Sequence, residues 1–181
     1  MQALREQLSR IFPEECFLPG TRIEENRRVF SIKPDAGEAV IGLKLSPLAN
    51  RWPENHGICD GLFVCKAQNC NHLIVTLVEL KGGDVSKAMN QIRDTCHLLC
   101  KSANPVLQIH SEDVIDAAES LNIKGHGKGA LGVIVARSGL AQNQKAKKLL
   151  WDRYRLRIWS KTGKLEAINC SLLAGKFAGT N

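Results

Sequence analysis

No stretch of this chain approaches the roughly 20 consecutive apolar residues that a bilayer-crossing helix needs, so no membrane span is expected. The opening residues, MQALREQLSRIFPEE, carry charge through their first turns and lack the apolar segment of a secretory leader. The seven cysteines, Cys16, Cys59, Cys65, Cys70, Cys96, Cys100 and Cys170, are odd in number and have no secretory context. That argues against a disulfide framework and for reduced thiols, hence for a cytoplasmic protein. Internal repeats and low-complexity linkers are also missing. So are the paired C-x-x-C knuckles of common structural zinc sites and the G-x-x-x-x-G-K-S/T phosphate loop.

What is present is ordinary in bulk and uneven in detail. The 181 residues are 44% apolar and 24% charged, which suits one domain with a sizeable core spanning 1–181. The net charge of +7 is concentrated at one end. Residues 124–181 hold 12 Lys or Arg against two acids, a net +10, while residues 1–123 carry −3. Such polarity suggests a polyanion contact at one end, or else a solvated basic face.

Periodicity predicts a short amphipathic helix over 2–12, with Leu4, Leu8 and Ile11 on one face. Strands are expected over 28–33 and 38–45, joined by Pro34-Asp35-Ala36-Gly37 as a hairpin. The two best strand segments are 58–66 (ICDGLFVCK) and 73–81 (LIVTLVELK). A helix follows over 85–101, capped by Asp84 or Ser86, and another over 111–121. Then come a buried strand at 130–136, a basic helix at 142–151, a strand at 155–160, and a weakly ordered tail from 171. The order describes a mixed α/β domain with a central sheet.

Glu79 and Lys81 lie two residues apart on the second of those best strands, so they share a face. If the strand pair turns at Gln68-Asn69-Cys70-Asn71, Asp60 falls opposite Glu79, with Cβ atoms about 4.5–5.5 Å apart. Two carboxylates so close repel unless a cation lies between them. A hard divalent ion such as Mg²⁺ or Mn²⁺ takes such oxygen ligands and leaves positions for water and a phosphate oxygen. Lys81 can then hold the attacking water or the charge of a phosphorane. The plain alternative is a rim salt bridge between Glu79 and Lys81.

Gly57-Ile58-Cys59-Asp60, then Val78-Glu79-Leu80-Lys81, then a helix bearing Gln91 resembles the PD-(D/E)XK nuclease superfamily, especially its RecB-like branch. The resemblance spans about residues 28–100. It implies a restriction-endonuclease-like mixed central sheet flanked by helices. It also implies metal binding by Asp60 and Glu79, assistance by Lys81, and ordering of the site by Gln91. Cys59 stands where the family has proline, and Thr95 where RecB-like members have tyrosine. Many members add an acid from an N-terminal helix, for which Glu15, Glu24 and Glu25 are the candidates. The implied activity is Mg²⁺-dependent phosphodiester hydrolysis of DNA, endonucleolytic rather than exonucleolytic, in defence, restriction or repair. A homodimer or a partner protein would supply specificity. A non-catalytic nucleic-acid-binding or adaptor module on the same fold is the alternative.

Cys65, Cys70, His72, Cys96, His97 and Cys100 could in principle hold zinc, but core packing is the better account of buried thiols. The loop 124–129 (KGHGKG), with Lys128, reads as a turn that could touch a nucleic-acid backbone. Lys145, Lys147, Lys148, Arg153, Arg155 and Arg157 surround Trp151, Tyr154 and Trp159, a mixture suited to phosphate contact and base stacking. Arg153, Arg155 and Arg157 alternate, as on one face of a strand.

Overall fold

A computed structural model describes residues 2–10, 12–51, 56–68, 73–81, 84–99, 130–136, 144–154 and 156–178. The expected helix at 111–121 and the loop at 124–129 with Lys128 lie outside these residues, as do Arg155, Cys70, His72 and Cys100.

The chain is a mixed α/β structure. Its strands are β1 (Arg22–Glu25), β2 (Arg28–Ile32), β3 (Ala39–Lys44), β4 (Gly61–Lys66), β5 (Ile74–Lys81), β6 (Ala130–Ala136), β7 (Leu156–Thr162) and β8 (Leu165–Ile168). Its helices are α1 (Gln2–Ser9), α2 (Val85–Leu99), α3 (Gln144–Tyr154) and α4 (Cys170–Ala178). A five-stranded sheet runs in the order β3-β4-β5-β6-β7 and a three-stranded sheet in the order β1-β2-β8. In the larger sheet β3, β4 and β5 are antiparallel, while β5, β6 and β7 are parallel.

The central position of β5 follows from its residues. Ile74 to Leu80 are all buried, as an apolar, β-branched run between two covered faces must be. On one face Leu62, Val64, Val75, Leu77 and Ile134 pack against α1 (Leu4, Leu8), α2 (Ala88, Met89, Ile92, Cys96) and α3 (Leu150). On the other, Phe63, Ile74, Val78, Leu80, Leu131 and Val133 pack against the smaller sheet (Ile23, Phe30, Ile32, Leu165, Ile168) and α4 (Cys170, Leu173). Helix α2 starts at Asp84, whose Oδ1 accepts the Lys87 amide at 2.8 Å.

Three expectations are corrected. The segments at 28–33 and 38–45 do not form a hairpin. The first pairs with β1 and β8 and the second with β4, so the Pro34–Gly37 turn links two different sheets. Residues 171–178 are not a loose tail but belong to α4. Its first amides are taken by the Glu38 carboxylate (Cys170 at 2.9 Å, Ser171 at 2.8 Å) and by Asn169 Oδ1 (Leu172 at 2.8 Å). Finally, α3 continues through Tyr154, so Arg153 belongs to a helix and Arg157 to β7, and the three arginines are not one strand face.

Candidate active site

β4 and β5 pair through Gly61↔Val78, Leu62↔Leu77, Phe63↔Thr76, Val64↔Val75 and Cys65↔Ile74. One step further brings Asp60 opposite Glu79, the pairing expected from the sequence. Asp60 Oδ2 accepts the Leu80 amide at 2.6 Å, so its carboxylate closes the end of the ladder.

Glu79 is 2% exposed. Its Oε1 is 3.2 Å from Lys81 Nζ, while Oε2 is buried and has no hydrogen-bond partner. An orphaned carboxylate oxygen at a sheet end is costly and marks a place for a proton or a cation. Lys81 Nζ also donates to Gln91 Oε1 at 2.8 Å, and Gln91 Nε2 donates to the Ile58 carbonyl at 2.9 Å. Gln91 therefore ties the lysine to the segment that carries Asp60.

Helix α2 holds that segment at two more points. The Gly57 amide donates to Asp94 Oδ2 at 3.1 Å, and the Cys59 amide donates to Thr95 Oγ1 at 3.0 Å. Thr95 Oγ1 itself donates to the Gln91 carbonyl at 2.8 Å. The contacts need a close approach. A Cβ on Gly57 would lie 2.6 Å from Gln91 Cγ and 3.0 Å from Gln91 Cα, which is why a glycine opens Gly-x-x-Asp. Thr95 supports the strand entry. The sequence marks Thr95 only as a departure from tyrosine and gives Asp94 no role; their helical spacing from Gln91 is the signal that points to both.

A cleft of about 460 Å³ opens beside Asp60, lined also by Ile23, Glu24, Glu25, Lys44 and Leu80. Among the three acids considered as additions, Glu25 reaches the pair, but from strand β1 rather than from a helix. Glu24 pairs with Arg22 at 2.7 Å, and Glu15 is exposed in the 3-10 turn Glu14–Cys16. Burial, the Glu79 charge and Glu25 push the Asp60 carboxyl up to about 8, against the pull of the Leu80 amide. Burial raises Glu79 to about 6, with Lys81 opposing and Glu25 adding to the rise. Both shifts describe carboxylates short of positive charge.

No group of three or more His, Cys, Asp or Glu side chains among the described residues is already arranged around a metal position. The donor set still fits one: two carboxylates across a register pair, one with a free buried oxygen. Of the cysteines considered for zinc, the described Cys65 and Cys96 belong to the cores on opposite faces of the sheet.

Of the expected basic surface, Lys145 and Lys148 are exposed and Lys147 half-buried on the first turns of α3. Trp151 and Trp159 beside them have ring contacts within the fold. Arg157 covers Trp151 at 4.8 Å from the ring centroid, Trp151 meets Phe177 edge-on at 6.5 Å, and Lys176 lies 5.7 Å over Trp159. No helix among the described residues is long and apolar enough to cross a membrane. No family model matches the chain, nor does any curated protein or solved structure at a significant level.

Proposed function

We propose that the chain is a divalent-metal-dependent nuclease of the PD-(D/E)XK kind, on a restriction-endonuclease-like sheet, hydrolysing phosphodiester bonds in DNA. The observation that carries this reading is the buried, unpartnered Oε2 of Glu79, set across the β4–β5 ladder from Asp60 and two residues from an anchored lysine. Asp60 and Glu79 would hold Mg²⁺ or Mn²⁺, with Glu25 within reach. When bound, such an ion supplies Lewis-acid polarisation of a phosphodiester oxygen and acidifies water.

This chain's own residues do the rest. Lys81, held between Glu79 and Gln91, keeps an ammonium donor where the attacking water or the developing phosphorane charge falls. Gln91, Asp94 and Thr95 fix the 57–60 backbone so that Asp60 stays in place without waiting for substrate. A second copy or a partner protein would supply sequence selection, in restriction, repair or defence. Endonucleolytic cleavage in the cytoplasm is the form proposed.

The test is cleavage of labelled single- and double-stranded DNA and RNA with Mg²⁺, Mn²⁺ or EDTA. Asp60→Asn and Glu79→Gln should lose activity while keeping the wild-type circular dichroism spectrum. Metal-independent cleavage, or full activity in either variant, would remove the carboxylates from the mechanism.

A further inference from the structure

The mouth of the carboxylate site is closed by a ring of strand ends. Lys81 pairs with Ala136 at the end of β6. The Ala136 carbonyl accepts the Gly163 amide at 2.9 Å, in the turn between β7 and β8. β2 and β8 run parallel with Phe30 beside Leu165, so Arg28, which opens β2, and the Gly163 turn before β8 lie at the same end of the smaller sheet. Arg28 pairs in turn with Glu25, which shares the cleft with Asp60. Half of this ring is acidic (Glu25, Asp60, Glu79). The other half carries Arg27, Arg28, Lys161 and Lys164.

Those four cations have no described acid within ion-pair distance, whereas neighbouring Arg22 is paired with Glu24 and Glu166. Arg27, Lys161 and Lys164 are exposed, and Arg28 is half-buried with an unpartnered Nε. The turn geometry adds an independent observation. β1 and β2 are joined by the two residues Asn26 and Arg27, at φ 48° and 64°. Such a turn favours Asn-Gly, because its second position has positive φ. Asparagine is where it should be, but an arginine occupies the glycine position. The arginine there holds a positive φ that glycine would adopt without strain.

We propose that Arg27, Arg28, Lys161 and Lys164 form the phosphate-binding rim of the site, gripping the backbone of a nucleic-acid strand as it passes the carboxylates. The proposal rests on the nuclease reading for its ligand class but not for its geometry. It is separate from the α3 lysines, since α3 packs on the opposite face of the large sheet from β2 and β8.

The experiment measures binding of a fluorescein-labelled DNA oligonucleotide, single-stranded and duplex, by anisotropy in EDTA at several salt concentrations. It compares wild type with R27Q/K161Q/K164Q and with K145Q/K147Q/K148Q. Each lost phosphate contact lowers the salt slope by about 0.7–0.9, so the rim variant should lose about 2–3 from the slope and bind at least tenfold more weakly at 0.1 M salt. Arg27→Gly should raise Tm while lowering the slope by about one contact, a divergence that a merely structural arginine would not produce. Unchanged affinity and slope in the rim variant, or no DNA binding by wild type, overturns the rim. Wild-type cleavage in Mg²⁺ or Mn²⁺, run in parallel, tests the other reading. Rim-dependent binding without cleavage leaves the rim and removes the nuclease, and cleavage with rim-independent binding does the reverse.

Discussion

Replacing Asp60 with asparagine should make the metal-free protein more stable, and the gain should depend on pH in a defined way. A carboxyl with an ordinary value of 3.8, pushed up to about 8 in the fold, binds its proton more tightly folded than unfolded. This is the reverse of a salt-bridged aspartate. The penalty is absent below about pH 3.8, grows as pH rises, and levels off near 8. The full shift sets a ceiling of about 5–6 kcal/mol. Partial access to solvent and sharing of the charge with Glu79 and Glu25 reduce this to about 1–3 kcal/mol at pH 8. The asparagine amide keeps an oxygen for the Leu80 N–H, so the ladder end survives. Thermal unfolding in EDTA should show Tm higher by about 3–10 °C at pH 8, with a smaller gain at pH 5. Adding Mn²⁺ should then stabilise wild type by about 2–3 kcal/mol at a hundred times its Kd and Asp60→Asn far less. A variant less stable than wild type at pH 8, or a gain equal at both pH values, would refute the claim that the carboxylates are crowded.

Lys81→Ala should lower kcat by at least tenfold with little change in KM, because its ammonium acts on the transition state; steady-state cleavage kinetics decide, and an intact kcat would leave only a rim salt bridge. Gly57→Ala places a methyl 2.6 Å from Gln91 Cγ and 3.0 Å from its Cα, and should cost about 1–3 kcal/mol in urea denaturation together with activity. Glu38→Ala removes the carboxylate that accepts the Cys170 and Ser171 amides and should cost about 1–2 kcal/mol. Since that carboxyl is held below its ordinary value by these donors despite burial, the stability it provides is present at neutral pH and lost as pH falls through the acidic range. The deficit of Glu38→Ala should therefore be larger at neutral pH than in acid, as measured by urea denaturation across that range.

The centre of the site was legible because strand geometry is local. Parity put Glu79 and Lys81 on one face, and counting back from one turn put Asp60 opposite Glu79, which is the register observed. What sequence could not show was arranged by distant partners. α4 begins where it does because Glu38, 132 residues earlier, caps Cys170. β1 hides behind a turn whose second residue is arginine rather than glycine. β8 is four residues long and takes its place from β2. The alternation at 153–157 misled because Leu150 anchors α3 in the core and carries the helix through Tyr154, across the pattern.

The way α2 uses its polar residues separates a working site from a rim salt bridge. Packing is served by Val85, Ala88, Met89, Ile92, Cys96 and Leu99 of this helix. Gln91, Asp94 and Thr95 instead hold the amides or carbonyl of Gly57, Ile58 and Cys59, the three residues before Asp60. A salt bridge between Glu79 and Lys81 needs no fixing of the backbone at 57–59, which carries neither partner. A buried glutamate with a bare oxygen beside a raised aspartate lowers stability further. Three side chains that immobilise one short backbone segment, so that two carboxylates stay close while repelling each other, make sense where the repulsion is relieved by something that binds. That is why the pH and Mn²⁺ dependence of Asp60→Asn matters more than its loss of activity. Lost activity follows from any damage near the site, whereas a metal-free variant more stable than wild type at high pH follows when the fold keeps the Asp60 carboxylate buried and beside other negative charge.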